Sequence, residues 1–256
     1  MALFKKKYNT GRDGLSRDTM LNGARLITAA EPKNPISEQF RTIRTNIEFA
    51  SVAKGNVKTL LVSSPLPSEG KSTITANLAV AYAQQGKKVL LVDTDLRRPT
   101  VATTFGITNN HGLTNYLVDV NSDVGSIIRH TRLEMLDIVT SGPVPPNPAE
   151  LLASSRMTNL IAELRQRYDL VIFDVPPFLI VTDAQVLMSK MDGVAIVVSG
   201  RHTTKGALQR TTDMLKLADA PMLGFIYNDR DRKKNSGTGY GYGYGYGYGY
   251  GYGDAK

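Results

Sequence analysis

The chain has 256 residues, a length that fits one large α/β domain. With 41% hydrophobic and 21% charged residues it has ordinary globular proportions, which excludes wholesale disorder. The absence of cysteine excludes a disulfide framework, a thiol nucleophile and a thiolate zinc site, and three scattered histidines (His111, His130 and His202) do not make a metal centre.

Thirty-one Lys and Arg against 23 Asp and Glu leave a net charge of +8. Lys5, Lys6, Lys7, Arg12, Arg17 and Arg25 crowd the first 26 residues, against Asp13 and Asp18. No uncharged apolar run approaches the roughly 18–20 residues that span a bilayer, and Met1–Phe4 is too short for a signal-peptide core. A cytoplasmic protein is expected, with any membrane association supplied by a partner.

Residues 1–33 read as an irregular basic arm, either solvated or drawn to a membrane surface or an acidic partner. Asn34 and Pro35 then supply an N-cap and a first-turn proline for a helix. Ile36, Phe40, Ile43, Ile47 and Ala50 follow as one apolar stripe. Glu38, Arg41 and Arg44 recur every third residue on the face turned away from that stripe. Taken alone, such a face is solvated and holds an i,i+3 ion pair worth a few tenths of a kcal/mol.

From Val57 onward, short apolar runs alternate with amphipathic stretches. Leu60–Val62, Val89–Val92, Met135–Val139, Leu170–Phe173, Val194–Val198 and Met222–Ile226 read as strands. Ile74–Ala83, Leu151–Leu164, Ala184–Met191 and Ala207–Leu217 read as helices, with a short helix or two within 101–128. Strands apolar on both faces and separated by helices indicate an α/β fold, a mostly parallel sheet covered on both sides. The expected division is an arm over 1–33, a nucleotide-binding domain over 34–228, and a basic hinge with a tyrosine-rich tail over 229–256.

The run Leu60-Leu61-Val62-Ser63-Ser64-Pro65-Leu66-Pro67-Ser68-Glu69-Gly70-Lys71-Ser72-Thr73 carries the most chemistry. A buried strand, a loop ending Gly-Lys-Ser-Thr and a following helix are the context of a phosphate-binding P-loop. Amides of Ser68 to Thr73 would face the phosphates at a helix N-terminus; Lys71 reaches the β/γ oxygens and the Ser72 hydroxyl can ligate Mg²⁺. Pro65 stands where the general pattern has glycine, and Ser68 takes another position often given to glycine. Asp93 and Asp95 follow one apolar strand and Asp174 another. Ligands of open parallel sheets sit beyond the strands' carboxyl ends, so these acids point to a nucleotide's Mg²⁺, the alternative being helix caps. Arg97 and Arg98 either bind phosphate or cap a helix.

After Asn228, Arg230, Arg232, Lys233 and Lys234 form a hinge. Tyr240, Tyr242, Tyr244, Tyr246, Tyr248, Tyr250 and Tyr252 then alternate with glycine. Alternating glycine removes packing and raises the entropy cost of ordering, so an unstructured tail is expected. The twelve residues from Asn228 to Tyr240 reach roughly 40 Å stretched or about 20 Å as a coil.

Four segments in order, namely Ser63–Thr73, Leu90–Pro99, Thr140–Leu152 and Val171–Pro177, resemble those of the bacterial tyrosine kinases of capsular and exopolysaccharide synthesis. The chain is similar to the single-chain form of Gram-positive bacteria, over most of its length. The resemblance implies a P-loop NTPase-like fold, ATP and Mg²⁺ as cofactors, and phosphorylation of the tail tyrosines. It assigns Lys71, Asp93, Asp95 and Asp174 to catalysis and Ser68–Thr73 to nucleotide binding. Mg²⁺ falls to Ser72 and the three aspartates, and Asp93 is the favoured proton acceptor. Asn228 is expected to touch the nucleotide base. Glu38, Arg41 and Arg44 match the family's subunit contact, which implies a homo-oligomeric ring. A transmembrane activator (the polysaccharide co-polymerase) and a tyrosine phosphatase are the other implied partners, with no nucleic acid. Placement is at the inner face of the membrane. The alternative is a non-kinase switch ATPase or ring scaffold of the partition and septum-site type. Those proteins typically carry a lysine where Leu66 stands, five residues before Lys71.

Overall fold

A computed structural model describes residues 19–52 and 55–229. The tyrosine tail and most of the basic arm lie outside these residues. Within them, the chain order is α1 (Thr19–Asn22), α2 (Ile27–Ala30), α3 (Pro35–Val52), β1 (Thr59–Ser63), α4 (Lys71–Ala83) and β2 (Val89–Asp93). Then come α5 (Val101–Phe105), α6 (Leu113–Val118), a 3₁₀ turn (Gly125–Ile127), β3 (Ile128–His130), β4 (Leu136–Val139), α7 (Pro148–Ala153) and α8 (Ser155–Arg167). β5 (Leu170–Asp174), α9 (Asp183–Met188), β6 (Gly193–Ser199), α10 (Lys205–Leu217) and β7 (Met222–Asn228) complete it.

The strands form one sheet in the order β3-β4-β2-β5-β1-β6-β7. All neighbours are parallel except β3 against β4. β1, β2 and β5 are buried along their whole length, as expected of central strands covered on both faces. One core layer joins Leu61, Leu90, Val92, Val171 and Phe173 to α8 and α9. The other joins Leu60, Val62, Leu91 and Ile172 to α3 and α4. Each buried branched or aromatic side chain contributes about 1.5–3 kcal/mol, so these layers hold the three strands whose ends carry the site.

The domain starts earlier than the sequence pattern suggests. Ala24, Leu26 and Ile27 are buried, and Asn77 in α4 secures this segment. Its Oδ1 accepts from the Thr28 amide and hydroxyl, both at 3.0 Å, and its Nδ2 donates to the Arg25 carbonyl at 2.8 Å. A few apolar residues held by a polar anchor leave no periodic signature, so 19–33 read as part of the arm. The Leu151–Leu164 stretch is likewise two helices. Ser154 breaks it, its hydroxyl accepting from the Met157 amide as the N-cap of α8.

Candidate active site

β1 ends at Ser63 and the chain turns through Pro65–Gly70 into α4. Two backbone positions in this loop are left-handed: Ser68 at φ 64° and Gly70 at φ 91°. Glycine suits the left-handed backbone at Gly70, and a Cβ there, 2.3 Å from Asn228 Nδ2, would push that amide aside. Glu69 is buried and folds back over the turn. One carboxylate oxygen accepts from the Leu66 amide at 2.9 Å and the other from the Thr203 hydroxyl. Burial raises its pKa, partly offset by these hydrogen bonds. A carboxylate thus organises the start of the loop where Pro65 replaces glycine.

Asn228, expected at the base, donates from Nδ2 to the Glu69 carbonyl at 2.8 Å. It therefore braces the phosphate loop from the end of β7. Thr203, on the loop between β6 and α10, is a second brace that sequence reasoning missed. A lone threonine in a Gly-Arg-His-Thr-Thr stretch carries no signal for that role.

Parallel pairing sets Asp93 directly opposite Asp174. Lys71 reaches across from α4, its Nζ 2.9 Å from Asp95 Oδ2, 3.5 Å from Asp174 Oδ1 and 3.1 Å from Ser72 Oγ. Lys71, Ser72, Asp93, Asp95 and Asp174 thus meet at one place. Asp93 accepts from the Thr100 and Val101 amides, both at 2.9 Å, and from the Asp95 amide at 3.2 Å. Thr75 Oγ1 lies 3.3 Å from Asp174 Oδ1 and Thr100 Oγ1 3.5 Å from Oδ2; these two threonines also escaped the sequence reading.

The charges are interdependent. Burial, then the neighbouring Asp174 charge, pushes the Asp93 carboxyl up to about 8. Burial raises Asp174 too, against the pull of Lys71. Burial alone would lower the Lys71 pKa, but Asp174 and Asp95 outweigh it and raise it. The ammonium is therefore firmly charged and lies among three oxygen acceptors.

Among the described residues, no three or more His, Cys, Asp or Glu side chains form a ready-made metal cluster. Asp95, Asp174 and Ser72 instead offer a partial shell of hard oxygens around one cationic position. That fits Mg²⁺, which is usually held by one or two carboxylates together with water and substrate phosphates.

The Glu38, Arg41 and Arg44 stripe does not stand free. Glu38 is exposed and pairs with Arg41. Arg41 also donates to the Pro32 carbonyl at 2.6 Å, and Arg44 donates to the Ala81 carbonyl in the last turn of α4 at 2.8 Å. Last-turn carbonyls lack helical partners, which makes Ala81 an acceptor for Arg44, whereas Pro32 lies in the turn before α3. Arg97 does not cap a helix; it forms a two-pronged ion pair with Asp183.

A strand–loop–helix phosphate cradle with acidic strand ends beside it defines a P-loop nucleotide-binding domain. Residues 68–220, more than half of the chain, match the AAA domain family. The tyrosine-protein kinase YwqD of Bacillus subtilis is 48% identical over 205 residues, covering 80% of this chain and 86% of that protein. The chain belongs to this family of bacterial tyrosine-protein kinases. The crystal structure of the chimerical protein CapA2B2 superposes with a TM-score of 0.75 at 42% identity, over 79% of this chain and 88% of that one. The septum site-determining protein MinD of Pyrococcus horikoshii, solved with Mg-ADP, is less similar. Its TM-score is 0.60 at 26% identity, over 69% of this chain and 72% of that one.

Proposed function

We propose that this chain is an ATP- and Mg²⁺-dependent protein-tyrosine kinase that phosphorylates its own C-terminal tyrosines and so regulates capsular or exopolysaccharide synthesis and export. The observation that carries the reading is the meeting of Lys71, Ser72, Asp95 and Asp174 at the mouth of the phosphate loop, with Asp93 beside them. Loop amides from Ser68 to Thr73 and the Lys71 ammonium would neutralise the triphosphate. Ser72, Asp95 and Asp174 would hold Mg²⁺, with Asp93 behind them, and the ion would offset charge on the transferring phosphoryl group.

The phenolic oxygen of a tail tyrosine attacks the γ-phosphorus. The bond from that phosphorus to the β–γ bridging oxygen breaks and its electrons leave with ADP. The phenolic proton passes to a carboxylate of the acidic cluster, Asp93 being the acceptor that the resemblance favours. Most of the acceleration is then positioning and charge stabilisation, as usual for phosphoryl transfer.

A homo-oligomeric ring would pass one subunit's tail to its neighbour's site. A membrane activator and a tyrosine phosphatase would set the balance of phosphate. No helix among the described residues is long and apolar enough to cross a membrane, so location at the membrane's inner face is assigned to the activator. Incubation of purified protein with ATP, followed by mass spectrometry of the tail peptide, tests the reading. Phosphate on Tyr240–Tyr252 in the wild type and none in Lys71→Met is expected. An unmodified tail in protein that hydrolyses ATP would identify a switch ATPase instead.

A further inference from the structure

The Asp183 carboxylate is fully buried at the start of α9. Both of its oxygens are taken by one guanidinium: Arg97 Nε donates to Oδ2 at 3.0 Å and Nη2 to Oδ1 at 3.1 Å. This paired geometry is the strong form of a charge-assisted contact. Neither residue belongs to the nucleotide or metal machinery described above.

Its position gives the pair its significance. Three strand-exit loops make the site, those after β1, β2 and β5. The loops after β1 and β5 are tied together by the Ser63 hydroxyl donating to the Pro176 carbonyl at 2.7 Å and the Phe178 amide donating to the Ser64 carbonyl at 2.9 Å. The loop after β2 carries Asp95, which holds Lys71, and Arg97 lies only two residues further on. Asp183 lies nine residues beyond Asp174 on the continuation of β5. The ion pair therefore joins the segment carrying Asp93 and Asp95 to the segment carrying Asp174, outside the reacting centre.

We propose that Arg97 and Asp183 form a clasp that holds the loop after Asp95 against the segment after β5, beyond the strand pairing that already sets Asp93 opposite Asp174, making Arg97 a positioning residue and not a phosphate-binding one. Turning Arg97 toward a nucleotide would leave a buried carboxylate without its partner, a state that is strongly disfavoured. Lysine could not serve, because it lacks the fork that meets both oxygens. The role is stated for the kinase reaction and rests on that reading, although the clasp itself is a property of the fold.

The test compares full-length wild type, Arg97→Gln, Asp183→Asn, the double variant and Arg97→Lys by amide exchange, nucleotide affinity and phosphotransfer kinetics. Exchange at the Thr100 and Val101 amides, which Asp93 holds, is expected to rise equally in both single variants and no further in the double. The kcat for tail phosphorylation is expected to fall about 10–100-fold in each, with affinity for ADP and KM for ATP unchanged. Arg97→Lys should resemble Arg97→Gln. The clasp is refuted if Arg97→Gln alone weakens ADP binding, which would mark a phosphate contact, or if the two single effects add in the double. If the wild type makes no phosphotyrosine, the kinase reading fails, and the exchange pattern still decides the clasp.

Discussion

Asn228 donates to the Glu69 carbonyl and lies where a side chain at Gly70 would clash, so one amide props the phosphate loop from the far side of β1. Asn228→Ala removes that prop without touching a reacting group. It is expected to weaken ADP binding roughly 5–10-fold, about the net worth of one such hydrogen bond, as measured by fluorescent-nucleotide titration, while thermal stability changes little. An unchanged affinity would return Asn228 to the unassigned residues. Lys71, Ser72, Asp93, Asp95 and Asp174 were legible beforehand because strand-end acids and a Gly-Lys-Ser loop are local patterns. Glu69, Thr75, Thr100 and Thr203 were not legible as structural supports. Their meaning lies in contacts formed across the chain, up to 134 residues apart for Thr203 and Glu69, and no local spacing encodes those. Asn228 was expected at the nucleotide base, and its contact with the Glu69 carbonyl was not legible.

Segments with a repeating apolar period were readable, and segments held by single polar anchors were not. β1, β2 and β5 each appear as a run of five buried residues. β3 has only three residues, is partly exposed and pairs antiparallel at the sheet edge, so it leaves no run to read. The Asn77 anchor of residues 25–28 belongs to this second kind. Asn77→Ala would strand the Thr28 amide and the Arg25 carbonyl beside the core. We expect a loss of about 2–4 kcal/mol, two buried groups at roughly 1–2 kcal/mol each, read as a lower denaturant midpoint. Asp192, just before β6, is a similar staple. Its Oδ2 accepts from the Lys58 and Thr59 amides, both at 2.9 Å, and its Oδ1 from Arg165 at 2.5 Å. Burial would raise its pKa, but Arg165 and the amides outweigh it, and the net shift is downward from 3.8. The folded state therefore favours the carboxylate. Its stabilisation is complete above the ordinary aspartate pKa and disappears as pH falls through the lower folded value. Urea titrations should show wild type losing its advantage over Asp192→Asn below about pH 4, with Asp192→Asn less stable at pH 7. A constant gap across that range would contradict the staple.

At the scale of the whole molecule, charge is the variable that phosphorylation would change most. Each phosphotyrosine adds about −1.5 to −2, so seven would carry the net charge from +8 to roughly −2 to −6. An assembly held by Glu38, Arg41 and Arg44 would experience that reversal at its contacts. Arg41 and Arg44 also hold carbonyls of their own subunit, so replacing either disturbs fold and contact together. Glu38 separates the two effects. Its side chain is 65% exposed and its pair with Arg41 is a surface ion pair, worth at most about 1 kcal/mol. Glu38→Arg should therefore leave the melting temperature nearly unchanged while unphosphorylated protein elutes later from a sizing column, as smaller species. Wild-type protein should make the same shift gradually as phosphate accumulates on the tail. Tyr→Phe at all seven positions should abolish the shift, and any single Tyr→Phe should barely alter it, because the swing is summed over the cluster. If one tyrosine alone accounted for the change, a specific docked phosphate would replace bulk charge as the cause. If Glu38→Arg eluted with the wild type, the stripe on α3 would be reduced to an internal brace.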